Sequence, residues 1–180
     1  MRGMVAAAVV GLALASTSAW AEVTAAAPGA FMIEAEANLQ AAPDRAWAAI
    51  GEIGRWWSSE HTYSSDAANL SLDPQAGGCF CERWGDGQSV EHGRVVLVRA
   101  QEGVRTLRFI GALGPLQETG VVGVMTFSVS PEGEGAKITM HYRASGDPGL
   151  GLDAMAQPVD HVLTEQFGRL VRYTETGAPS

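Results

Sequence analysis

The chain has 180 residues, 46% hydrophobic and 18% charged, which is enough apolar material for one packed domain and argues against disorder. Its formal net charge is -8 and its pI about 4.9, with no basic stripe, so no nucleic-acid partner is expected. The same acidity works against attraction to anionic lipid headgroups.

The first stretch reads as an export leader. Arg2 precedes an apolar run over residues 4–15, and a polar patch then ends in Ala19-Trp20-Ala21, an A-x-A cleavage site. The run is short for a membrane span, and no cysteine follows the cleavage point, so no stable membrane anchor is expected. Residues 1–21 are thus expected to be a signal peptide cleaved after Ala21, and the mature chain to be periplasmic or secreted. Residues 22–29, rich in Ala, Pro and Gly, read as a flexible tether, leaving 30–176 as the domain.

Phe31, Ile33, Ala35, Ala37 and Leu39 alternate with more polar neighbours, the pattern of a strand buried on one face. Pro43 suits the first position of a helix, which Gly51 ends, and a second short helix is expected over 53–57. Adjacent Trp56 and Trp57 would diverge by about 100° on that helix, so one of them at most is expected in the core. Six further strands are expected at 69–73, 78–84, 90–99, 106–111, 121–130 and 137–145. Turn formers separate them, including Asp73-Pro74, Gly85-Asp86-Gly87, Glu102-Gly103 and Pro131-Glu132-Gly133. Such short connections imply an antiparallel meander.

The last long stretch, 152–174, reads as a helix with one apolar stripe. Leu152, Met155, Ala156, Val159, Val162, Leu163, Phe167, Leu170 and Val171 recur at spacings of three and four. Acids lie toward its start and arginines toward its end, as the macrodipole favours, and Glu165–Arg169 is a correctly oriented i,i+4 pair. Gly177 is placed to stop the helix in a left-handed cap. Pro158 removes one backbone bond, so a kink or a loose first turn is expected.

Taken together, the order of elements and several local motifs resemble the START-like, or SRPBCC, superfamily. The motifs are Ala42-Pro43-Asp44-Arg45-Ala46-Trp47, Gly54-Arg55-Trp56-Trp57, Leu72-Asp73-Pro74-Gln75-Ala76-Gly77-Gly78 and the terminal helix. Members include polyketide cyclases, lipid-transfer proteins and homologues of the activator of a heat-shock ATPase. The resemblance covers about residues 31–174 and implies an α+β helix-grip fold. That fold has a seven-stranded antiparallel sheet curved around the long C-terminal helix, two short helices after the first strand, and a cavity between sheet and helix. It implies little about activity, because members bind, carry or transform quite different apolar molecules.

Glu82, His92 and Arg94 are the most interesting polar set. If Trp84 pairs with Val90, Glu82 opposes His92 and Phe80 opposes Arg94 on one sheet face. The family pattern, with an aromatic turned inward two residues after the second Gly of Gly77-Gly78, favours that face as the concave one. A carboxylate beside an imidazole in an apolar cavity can serve as acid or base. The plainer reading is an ion pair on the solvated face.

Cys79 and Cys81 are the only cysteines, and on a strand their Cβ vectors run nearly parallel, which disfavours a bridge. Packed free thiols are the expectation, with a redox-formed bond or a metal as alternatives. Trp84 and the two adjacent tryptophans can line a ligand mouth, and the apolar loop 111–120 can gate a cavity or merely cap the core. Gly77-Gly78 lacks the Lys-Ser/Thr and helix of a phosphate loop, and no G-x-S-x-G stands in the chain; no cofactor is expected, and with two evident ligands where a site usually needs four, no metal is assigned.

The leading expectation is an exported binding or carrier protein for a small hydrophobic or amphipathic molecule. Its ligand-binding residues would be Trp56, Trp57, Phe80, Glu82, His92, Arg94, Phe109, Met125, Phe127, Met140, Tyr142, Met155, Val159 and Leu163. The alternative is a cyclase- or dehydrase-type enzyme using Glu82 and His92 as acid and base. A third alternative, an envelope stress or chaperone-partner module, rests on the activator homologues alone.

Overall fold

The computed structural model of the protein describes residues 20–180. Within them, the segment expected as a tether is a strand: β1 (Trp20–Ala27) pairs antiparallel with β2 (Ala30–Leu39), from Ala27↔Ala30 to Trp20↔Glu36. Its alanines carry no strong hydrophobic pattern. Backbone pairing to β2 and the burial of Ala21 and partial burial of Val23 against the core make it a strand. Most of the expected leader lies outside the described residues.

The sheet therefore has eight strands, one more than expected. After β2 come β3 (Leu70–Leu72), β4 (Cys79–Trp84), β5 (Gln88–Gln101), β6 (Val104–Ile110), β7 (Val122–Glu132) and β8 (Gly135–Ser145). All pairings are antiparallel, in the order β1-β2-β8-β7-β6-β5-β4-β3. The alternation in β2, β7 and β8 points Phe31, Ile33, Met125, Phe127, Ile138, Met140 and Tyr142 into the core, each at most 2% exposed.

Between β2 and β3 the chain forms helix α1 (Pro43–Gly51) and three short 3-10 turns, Ile53–Arg55, Ser59–His61 and Ala67–Asn69. The expected second helix is only the first of these turns. Trp56 ends it with φ -125°, so the angular spacing of a helix does not apply to the tryptophan pair. Both are buried, and their ring centroids lie 5.6 Å apart.

Helix α2 (Leu152–Thr176) closes the fold, and Gly177 caps it with φ 81° and an N–H donated to the Tyr173 carbonyl at 2.9 Å. Leu163, Phe167, Leu170 and Val171 are buried, while Met155 and Val159 stay only partly covered. The helix packs on β1, β2 and α1, toward one side of the sheet. Glu165 and Arg169 do not pair with each other. Glu165 meets His61 Nε2 at 3.2 Å, and Arg169 Nε donates to the Trp56 carbonyl at 2.7 Å. Both side chains tie α2 to the 3-10 segment. Among the described residues, no helix is long and apolar enough to cross a membrane.

Candidate functional site

Because α2 leans toward β1 and β2, its N-terminal half stands off from the β3–β5 side of the sheet. A cavity of about 770 Å³ opens there, within the range typical of small-molecule sites. Met155, Pro158, Val159, Val162 and Leu163 form its helix wall, and Leu70 and Phe80 its sheet wall. Trp57 and residues 60–63 close one side, and Leu113, Gly114, Pro115, Gln117 and Glu118 the other. The two loops meet where the Tyr63 hydroxyl donates toward Gln117 Oε1 at 3.3 Å and the Gly114 carbonyl at 3.4 Å. In the 111–120 loop, Leu113 and Pro115 line the cavity and Leu116 is buried, so the loop both walls the site and caps the core.

His92 is the principal polar group of the wall, and a backbone irregularity follows directly on it. The ladder between β4 and β5 runs Phe80↔Gly93 and then Cys81↔Glu91, leaving His92 without a partner in a β-bulge. Glycine is needed beside it, since a Cβ on Gly93 would come within 2.6 Å of the Phe109 ring. The bulge also flips the parity of the strand beyond it: Arg94 faces outward and Val95 inward. The expected register, with Glu82 opposite His92, is thus replaced by Glu82↔Val90. The two side chains still meet, Nε2 to Oε2 at 3.0 Å, with Glu82 fully buried and His92 6% exposed.

Glu82 is held from three directions. The Tyr63 N–H donates to Oε2 at 3.1 Å and the Ser64 N–H to Oε1 at 2.5 Å, beside the contact with His92. Burial acts to raise its carboxyl, but hydrogen bonds from Ser64, Tyr63 and His92 outweigh that and hold it below its ordinary value. Burial lowers His92 below its ordinary value, and the attraction of Glu82 offsets this only in part. An ionised carboxylate can only accept, so the neutral ring carries its proton on Nε2 and leaves Nδ1 as the basic nitrogen. Phe80 and Tyr63 hold the ring from two sides, at centroid distances of 4.8 and 5.8 Å. The arrangement is a base oriented by a carboxylate at the wall of an apolar cavity.

Of the expected binding residues, Trp57, Phe80, His92, Met155, Val159 and Leu163 line the cavity. Glu82 stands behind His92 as its support. Trp56, Phe109, Met125, Phe127, Met140 and Tyr142 are packed core, because the half of the sheet that holds most of them is already filled by side chains. Trp56 instead donates its indole N–H to the Ala49 carbonyl at 2.8 Å. Burial pushes the Tyr142 hydroxyl up to about 12. Its oxygen accepts the Leu113 N–H at 3.4 Å, which steadies the cavity loop from below. Arg94 is on the opposite face, bonded to Glu91 and to the Gly77 carbonyl at 2.9 Å. Tyr63, Leu70 and Val162 were not among the expected binding residues. Only the helical stripe containing Val162 carried a signal for any of them.

Cys79 and Cys81 are joined in a disulfide, against the expectation of free thiols. Their Cα atoms lie 5.3 Å apart, inside the bridging range. In a regular strand, two residues span about 6.6 Å. Opposite a bulge the ladder twists more strongly, which fits this closer approach. The bridge and Glu91 form the one group of possible metal donors among the described residues, but the sulfurs are spent on each other and Glu91 on Arg94.

No family model and no curated protein matches this chain. Among solved structures, it is similar to CalU16 from Micromonospora echinospora, with a TM-score of 0.53 and 16% identity over 92% of this chain and 87% of that one. CV1439 from Chromobacterium violaceum gives a TM-score of 0.53 and 16% identity, over 80% and 96% of the two chains. DynU16, from the dynemicin biosynthetic locus, gives 0.55 and 20% identity, over 82% of this chain and 48% of that one. At such identities the likeness shows the fold alone.

Proposed function

We propose that this protein binds a small hydrophobic or amphipathic molecule between the N-terminal half of α2 and the β3–β5 side of the sheet, and that it does so after export, in the periplasm or outside the cell. The observation that carries this reading is the cavity of about 770 Å³, walled mainly by apolar side chains. Each Å² of apolar ligand surface removed from water contributes about 25 cal/mol, and a few polar groups suffice to orient the ligand. Export is supported by the leader-like residues 1–21 and by the Cys79–Cys81 bridge, which suits an oxidising compartment.

Uptake of the neutral apolar dye Nile red, followed by fluorescence, tests the binding reading alongside native mass spectrometry of protein purified without detergent. Wild type should take up the dye. Val159→Trp, which fills the cavity from the half-buried helix wall, should bind at least tenfold more weakly at an unchanged melting temperature. A folded wild type that takes up neither dye nor any small molecule would refute it.

Acid–base chemistry on the bound molecule, of cyclase or dehydrase type, is the second reading. The Glu82–His92 pair favours it, because His92 lines the cavity while Glu82 fixes its tautomer. Chemical change in a molecule incubated with wild type, absent with His92→Gln at comparable binding, would establish it.

A further inference from the structure

The formally charged groups lining the cavity are of one sign. Glu60 and Glu118 stand at its two loops, and among the described residues neither has a hydrogen-bond or ion-pair partner. No Lys or Arg is among the lining residues. Most side-chain donors of the lining are already engaged within the protein. Trp57 Nε1 donates to the His61 carbonyl at 2.9 Å, Thr62 Oγ1 to the Ser59 carbonyl at 2.9 Å, and Gln117 Nε2 to the Glu91 carbonyl at 2.7 Å. The Tyr63 hydroxyl bridges the two loops, and His61 and His92 each face a glutamate. What remains is mainly acceptor capacity, two carboxylates at the loops against one spare N–H on Gln117.

From this we infer that the ligand's polar end is a hydrogen-bond donor, neutral or cationic, such as an amine or hydroxyl, and that carboxylate- or phosphate-headed amphiphiles are rejected. The inference rests on the cavity being the binding site. An anionic head entering the cavity would lose its water, find no Lys or Arg to pair with, and meet two like charges. An ammonium or hydroxyl head satisfies acceptors that otherwise need water, and a cation also gains from the rim carboxylates. Rejection of the wrong head group by unpaired acceptors is a recognised source of specificity.

Three probes with one tail separate the possibilities: decylammonium, decanol and decanoate, each titrated below its micellar range while the fluorescence of Trp57 and its neighbours is followed. Decylammonium should bind at least tenfold more tightly than decanoate, with decanol between them. The gap should narrow severalfold in Glu60→Gln/Glu118→Gln, two exposed loop positions whose change leaves the core untouched, and in high salt. Decanoate binding as tightly as decylammonium would overturn the inference and leave the cavity reading standing. So would a gap that survives both substitutions unchanged. If no probe binds and Nile red is not taken up either, the cavity reading itself fails.

Discussion

His92 and Glu82 touch across β4 and β5 without being partners in the ladder. The residue opposite Glu82 is Val90, yet the imidazole reaches its carboxylate at 3.0 Å, because His92 lies two residues along β5 on the same sheet face. Each carboxylate oxygen also accepts one backbone N–H, from Tyr63 on Oε2 and Ser64 on Oε1. The pair therefore anchors the loop over the cavity as well as the ring at its wall.

That double duty sets the outcome of Glu82→Gln. Whichever way the amide lies, its NH₂ meets a backbone N–H, so one donor is left facing another. A stability loss of about 1–3 kcal/mol is expected by urea unfolding. If the protein only binds, the folded variant keeps its affinity within about 1–2 kcal/mol. If His92 is a working base, turnover falls ~10²–10⁴-fold with binding retained. An unchanged unfolding midpoint would show that the loop is not held by this carboxylate.

Acid should weaken the fold in two stages. His92 is lowered from its ordinary value of 6.5 by burial, so the unfolded chain binds its proton first and stability declines as pH falls below that value. Glu82 is lowered from 4.5, which adds a second loss as pH falls through that region. Unfolding midpoints measured across this range should show both stages, and His92→Gln should remove the first. A profile flat from neutrality down to about pH 5 would contradict the assignment of a neutral, buried His92.

Phe167 is 1% exposed where α2 meets the sheet. Phe167→Asp would bury an unpaired charge there, and a loss of at least about 3 kcal/mol, or failure to fold, is expected. For a domain of this size that is a fall in Tm of roughly 6–12 °C. A Tm within a degree or two of wild type would mean that the helix is not gripped.

Cys79 and Cys81 should resist alkylation in denaturant until a reductant is added, and intact mass then reports two modified thiols. Two thiols alkylated without reductant in protein isolated from the cell envelope would contradict both the bridge and the oxidising compartment it suits.

Processing after Ala21 should give a mature chain beginning at Glu22, read by N-terminal sequencing of envelope or secreted material. The cut would remove the Trp20↔Glu36 and Ala21↔Ala35 pairs and leave the ladder from Glu22↔Glu34 to Ala27↔Ala30. Intact Met1 on such material, or a cytoplasmic location, would count against export.

The sequence by itself determined the elements whose periodicity repeats without interruption. The alternation in β2, β7 and β8 and the stripe of α2 specify which face each buries, because one face must leave water along the whole element. Those elements, joined by short turns, already imply an antiparallel sheet with a helix across it. Glu82 and His92 were also legible as a pair, though through a register the protein does not use. Only the tertiary structure decided the rest. An apolar residue reads the same whether it meets another side chain, as Met125 and Met140 do, or open space, as Val159 does. Which happens depends on where α2 leans. One unpaired residue in β5 reverses inside and outside beyond it, which sends Arg94 out. The alanines of β1 become a strand because β2 offers an unpaired edge. A cavity, a bulge and an edge partner are each relations between segments distant in the chain, and local periodicity carries no record of them.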